Sequence, residues 1–111
     1  MTPSEYVRCV LALFHSAPHA APHRKASAAD RRLAVQLFDE GMDLQTVEAA
    51  LLLATARRAI RPAQLAPLPP IRSLAYFLPV IREIQQQPLD PAYLDYLRRR
   101  LPTSRSLFDG T

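Results

Sequence analysis

The chain has 111 residues, 49% hydrophobic and 22% charged, with four Phe, four Tyr and no Trp, a composition that suits one soluble globular domain with a modest core. Its longest strongly apolar run, "AALLLATA" at 49–56, falls far short of the ~20 residues a transmembrane helix needs, and "MTPSEYVRCV" puts Glu5 where a signal peptide carries basic residues. The single cysteine, Cys9, excludes an intrachain disulfide and a multi-cysteine zinc site and points to the cytoplasm.

Thr2 and Glu5 form a capping box, and Pro3 falls at the first helical position, where its missing N–H costs nothing. Tyr6, Val7, Val10, Leu11, Leu13 and Phe14 then share one face of a helix over 3–16, with Glu5, Arg8 and His15 opposite. Pro18 and Pro22 block continuation, so residues 17–27 read as a flexible basic linker. Ser27 and Asp30 cap a second helix over 28–40 that turns Leu33, Ala34, Leu37 and Phe38 inward, and Gly41 sits where a left-handed residue ends it.

Asp43 caps a third helix over 44–60. Leu44, Val47, Ala50, Leu51 and Ala54 line one side and Leu53, Ala56 and Ile60 another, so it belongs at the centre of a bundle. The four prolines of "RPAQLAPLPP", 61–70, predict an extended crossing segment. A fourth helix over 70–86 contains Pro79 in its middle. Leu74, Phe77, Leu78, Ile81 and Ile84 fall on one face, and Arg72, Tyr76, Pro79 and Glu83 on the other. A mid-helix proline costs about 3 kcal/mol, whereas each large apolar side chain buried contributes about 1.5–3 kcal/mol. One helix kinked at Pro79 is therefore expected, with the orphaned Ala75 carbonyl turned to water.

Asp90 and Pro91 start a last helix over 91–101, with Tyr93, Leu94, Leu97 and Leu101 inward and Tyr96 at the rim. Residues 102–111 form a C-terminal tail containing Leu107 and Phe108. No alternating apolar pattern suggests a strand. The expected fold is all-α: one domain over 1–101, a compact orthogonal bundle of about five helices with a central apolar helix and one proline-kinked helix.

Basic residues number 14 against 10 acidic, a net charge of +4, and Lys25 is the only lysine. Guanidinium forks suit phosphate geometry, so the excess favours a nucleic acid, DNA or RNA. Arg24, Lys25, Arg31 and Arg32 cluster around the start of the second helix, where cations oppose the helix dipole. Helix propensity does not explain them. Arg57, Arg58 and Arg61 end the third helix and Arg98, Arg99 and Arg100 the last, where the dipole favours cations. "RRLAVQLFDEGMDLQTVEAALLLATARR" has the outline of a helix-turn-helix. However, Leu37 takes the position where close crossing favours Ala, and the would-be reading helix turns Gln45, Thr46 and Glu48 outward. A plain helical hairpin accounts for it better.

His15, His19 and His23 recur every four residues, but Pro18 and Pro22 interrupt any helix that would stack them as metal ligands. Cys9 reads as a small packed residue, and "APLPP" as a spacer between helices. Gly41 and Gly110 are the only glycines, so no glycine-rich phosphate loop exists, and the adjacent Asp39 and Glu40 point apart. Neither an enzyme, a cofactor nor a metal is expected.

Two stretches, "ADRRLAVQLFDEGMDLQTVEAALLLATARR" and "PIRSLAYFLPVIREI", followed by "YLDYLRRRL", resemble small all-helical bacterial proteins encoded beside transposable elements and plasmids. The resemblance covers most of residues 28–101. It implies a mobile-element context and brings no functional residue with it. The same stretches more distantly resemble the helical C-terminal modules of replication initiators, whose Trp-containing aromatic signature is missing here.

The function expected is a non-enzymatic, cytoplasmic nucleic-acid-binding accessory protein of a bacterial mobile element. Arg24, Lys25, Arg31, Arg32, Arg57, Arg58 and Arg61 would contact phosphates. The alternative is a protein–protein adaptor, or small helical subunit of a larger nucleoprotein, nuclease or recombinase complex. It would dock through the proline-rich segment, Leu65, Leu68, Leu107, Phe108 and the C-terminal tyrosines and arginines.

Overall fold

The computed structural model describes residues 1–16, 26–59, 64–65 and 71–100. Most of the linker, the proline-rich segment (with Ile60 and Leu68) and the tail from Leu101 on lie outside the described residues, as do Arg24, Lys25 and Arg61. The helices are α1 (Pro3–His15), α2 (Ala28–Asp39), α3 (Leu44–Ala59), α4 (Leu78–Gln86) and α5 (Pro91–Arg100), with a 3₁₀ turn over Leu74–Phe77. No strand occurs among the described residues, and the fold is an all-α bundle.

Local side-chain chemistry sets most of the boundaries. Thr2 and Glu5 exchange hydrogen bonds of 3.1 Å with each other's backbone N–H groups, and Ser27 and Asp30 do the same at 3.3 and 3.0 Å. Both are complete capping boxes. Asp43 Oδ1 accepts from the Thr46 N–H at 2.7 Å to open α3. At the end of α2, Gly41 takes φ 76°, its N–H donates to the Phe38 carbonyl, and the Met42 N–H reaches back to Leu37. This double closure draws Met42 into the core beside Leu37 and reverses the chain before α3.

Helix α3 is the axis. Residues Val47 to Thr55 are all buried, and the helix packs against α1, α4, α5 and the 3₁₀ turn. Its alanines, Ala49, Ala50 and Ala54, let neighbours approach closely, while Val47 and Leu52 fill the centre with Phe14, Leu37, Leu74, Phe77 and Ile81. Phe14 and Phe77 meet edge-to-face at 6.0 Å, a favoured aromatic geometry. Helices α1 and α2 pack together as an antiparallel pair: Tyr6, near the start of α1, contacts Phe38, near the end of α2, at 5.3 Å. The Tyr6 hydroxyl is buried with no hydrogen-bond partner among the described residues. Burial, and then the charges of Asp43 and Glu40, push its pKa up to about 12.

The helical path runs unbroken through Pro79, in a different form from a single kinked α-helix. A 3₁₀ turn begins at Leu74 and passes directly into α4, where Pro79 occupies the second position. A proline there forfeits nothing, because the first-turn N–H groups have no intrahelical acceptor. The Ala75 carbonyl is not left to water. In the tighter turn it accepts from the Leu78 N–H, the donor one residue earlier than the one Pro79 lacks. The side-chain phase survives the change: Leu74, Phe77, Ile81 and Ile84 are buried, Leu78 is half-buried and Pro79 is exposed.

One long-range bond holds this turn in place. Asp30 is only 2% exposed, and its Oδ1 accepts from the Leu74 N–H at 3.0 Å, across 44 residues of sequence. The carboxylate thus closes the start of α2 and anchors the start of the 3₁₀ turn together. Asp30→Ala removes the cap and strands a buried N–H, and is expected to cost about 2–4 kcal/mol in urea unfolding. Asp30→Asn keeps the Leu74 bond and should cost less. An alanine variant within about 0.5 kcal/mol of the parent protein would contradict this role.

Candidate nucleic-acid interface

The bundle sorts its arginines into two populations. In the first, three guanidiniums meet carboxylates through two nitrogens each, the geometry in which both parallel bonds form. Arg57 donates to Glu83 at 2.9 and 2.5 Å, joining α3 to α4. Arg82 donates to Glu40 at 2.5 and 3.0 Å, joining α4 to the end of α2. Arg98 donates to Glu48 at 3.2 and 2.6 Å, joining α5 to α3, and to Asp95 at 3.0 Å. The Arg82 hydrogen bonds, supported by Gln36, bring the Glu40 pKa down to about 2, and Arg57 lowers that of Glu83 in the same way. Arg58 donates to the Tyr76 hydroxyl at 3.1 Å and lies 5.6 Å from its ring centroid, within cation–π range.

Glu48 corrects the sequence reading most sharply. Expected to face outward from a reading helix, it is 3% exposed, because α5 lies across that side of α3 and brings Arg98 to it. Thr46 is half-buried and only Gln45 is exposed at the start of α3. A helix enclosed along its middle by α1, α4 and α5 does not protrude into a DNA groove, and α2 packs on α1 and the 3₁₀ turn instead of pairing along α3, so the stretch is neither a helix-turn-helix nor the plain hairpin expected. Tyr93 is the second correction. Helix α5 buries Leu94 and Leu97, which puts Tyr93 and Tyr96 on its flank. They are 43% and 47% exposed and stack at 6.1 Å with an 18° interplanar angle.

The second population has no carboxylate in hand. Arg8, Arg31, Arg32, Arg72 and Arg99 are exposed and make no side-chain hydrogen bond or ion pair to another described residue. Three of them share one face. Arg8 on α1 and Arg31 on α2 line a groove of about 890 Å³ between the two helices, together with Val7, Leu11, His15 and Val35. Leu11 is buried and Val7 half-buried, so they form the floor; Arg8, His15, Arg31 and Val35 are exposed at the rim. Arg32 borders a shallow depression on the other side of Arg31 and Val35, which Asp39 and Glu40 also line. Ala26 also lines the groove.

Of the seven cations singled out in the sequence, the fold therefore places Arg31 and Arg32 together, while Arg24, Lys25 and Arg61 lie outside the described residues. Arg57 and Arg58 lie at the far end of α3, engaged with Glu83 and Tyr76. Arg8 was missed. Its outward position on α1 was legible, but that it faces Arg31 depends on how α2 docks.

A second surface lies between α3, α4 and α5. Leu53, Ile84, Leu89 and Leu97 form its apolar lining, with Tyr93 and Tyr96 at the edge. Half-buried Cys9 lines a smaller pocket of about 370 Å³ beside Glu48 and Arg98. Among the described residues, no group of three or more His, Cys, Asp or Glu side chains is placed to hold a metal; His19 and His23 lie outside them. No helix among them is long and apolar enough to cross a membrane. No protein-family model matches the chain, and comparison with curated proteins and with solved structures finds no match.

The two kinds of ion pair differ in burial, which sets their weight. Removing Arg98 leaves the Glu48 carboxylate buried without its partner, so Arg98→Ala is expected to cost about 3 kcal/mol. Arg57→Ala breaks a bridge with both partners about half exposed and should cost less than about 1 kcal/mol. Urea unfolding of the two variants checks this; equal losses would contradict it.

Proposed function

We propose that the protein binds nucleic acid without base specificity through the α1–α2 face. Arg8, Arg31 and Arg32 contact phosphates, and Arg24 and Lys25 add charge from the adjoining chain. The observation that supports this most directly is that these three guanidiniums form no ion pair with a described carboxylate, whereas Arg57, Arg82 and Arg98 are ion-paired within the bundle. An unpaired guanidinium can exchange bound counterions for a phosphate without first breaking a salt bridge. Arg57 and Arg58, engaged with Glu83 and Tyr76, take no part in this proposal, and neither does Arg61. The resemblance to helical proteins encoded beside transposable elements and plasmids supports a non-enzymatic accessory role on the nucleic acid of such an element.

The stacked tyrosines over an apolar groove favour a second reading, a protein adaptor. Exposed aromatic rings beside buried leucines are the composition of an interface centre. The two readings differ in their response to salt. Anisotropy of labelled DNA and RNA oligonucleotides, titrated from ~50 to ~200 mM salt, should show affinity falling with a slope near −0.9 per phosphate contacted on duplex DNA. The double change Arg31→Ala, Arg32→Ala should flatten that slope by about two, and Arg57→Ala should leave it unchanged. No binding at ~50 mM salt, or a slope indifferent to Arg31 and Arg32, would overturn the proposal in favour of the adaptor.

A further inference from the structure

We infer that the α1–α2 groove takes a single strand in preference to a duplex, an assignment that rests on the phosphate-binding reading of the same face. Phosphate contacts alone call for cations on any surface. This groove offers cations on two opposing walls, Arg8 from α1 and Arg31 from α2, with an apolar floor of Val7 and Leu11 between them and Val35, 42% exposed, at the lip.

A duplex makes poor use of that arrangement. Its base faces are covered by their own stacking, so its phosphates would meet the rim while Val7 and Val35 gained no apolar partner. An unpaired strand presents base faces to an apolar floor and phosphates to a charged rim at once, the combination by which single strands are held without sequence preference. Size agrees. Packed helix axes lie about 8–10 Å apart, a furrow suited to one extended strand. From Ser4 to His15 the α1 wall runs about 17 Å. At the end of this wall His15 adds an exposed ring on which a terminal base can stack.

The charge balance argues for a polyanion over an apolar peptide. Among the described residues, Arg8 and Arg31 are the only Asp, Glu, Lys or Arg side chains lining this groove, and neither forms an ion pair with another described residue.

The test compares a labelled mixed-sequence 15-mer, as DNA and as RNA, with a hairpin duplex of matched composition, at one low salt concentration. Single strands are expected to bind about tenfold more tightly than the duplex. Val35→Ser, at an exposed position and verified as folded by circular dichroism, should weaken single-strand binding about fivefold, in line with the apolar area removed, and leave duplex binding unchanged. Arg31→Ala should weaken both. Equal affinity for the two forms, or a Val35→Ser variant that loses both equally, overturns the single-strand assignment and leaves the phosphate reading standing. No binding of either form overturns both. Tighter binding of an acidic amphipathic peptide than of any oligonucleotide overturns both as well, and assigns the groove to a protein partner.

Discussion

The enclosure of α3 is the constraint on which the rest of the molecule depends. A helix apolar around most of its circumference is stable only if every side is covered, and nine consecutive residues, Val47 to Thr55, are. Covering them requires α1 on one side, α4 and the 3₁₀ turn on another, and α5 on a third. The cost is a carboxylate, Glu48, carried inside with the apolar residues. Burial of an unpaired charge would be prohibitive, so the position of α5 is tied to delivering Arg98. Asp30 plays the matching role at the other end, where its carboxylate accepts backbone N–H groups in place of a cation.

This packing also determines where positive charge remains available. The carboxylates on the α3–α4–α5 side and at the α2 end each meet an arginine: Glu83, Glu48 and Glu40 one from a neighbouring element, and Asp95 the Arg98 of its own helix. Along the α1–α2 groove neither Arg8 nor Arg31 forms an ion pair with a described carboxylate. Glu5 is turned back into its own capping box, its pKa lowered mainly by the Thr2 hydrogen bonds and to a smaller extent by the charges of the N-terminus and Arg8. Much of the net charge is carried by Arg24, Lys25, Arg61 and Arg105, outside the described residues. Within the bundle, what distinguishes one face from another is pairing, and the count of arginines is secondary.

Features written in local chemistry were legible in the sequence. The capping pairs Thr2–Glu5 and Ser27–Asp30, the Asp43 cap, the Gly41 reversal and the inward phase of Leu74, Phe77, Ile81 and Ile84 all depend on residues within one or two turns. Pro79 was legible in its facing direction but not in its hydrogen bonding, since the choice between α and 3₁₀ geometry turned on which donor could still reach the Ala75 carbonyl. What stayed hidden was set by distant partners. The second duty of Asp30 needs Leu74, and the burial of Glu48 needs Arg98, 50 residues away. The exposure of Tyr93 follows from which stripe of α5 meets α3. Arg8 joined the candidate site for the same reason, through the docking of α2. A lone acidic residue in an otherwise apolar helix was the one available signal for a buried pair.

The central claim is that internal pairing removes one set of arginines from any interface and leaves another free. Nitrogen-15 spectra of the arginine Nε–Hε groups, recorded while a short single-stranded oligonucleotide is added at low salt, read both sets in one experiment. The account predicts that Arg8, Arg31 and Arg32 shift with added strand while Arg57, Arg82 and Arg98 hold their positions. Shifts at Arg57, Arg82 or Arg98 with the α1–α2 arginines unmoved would contradict it.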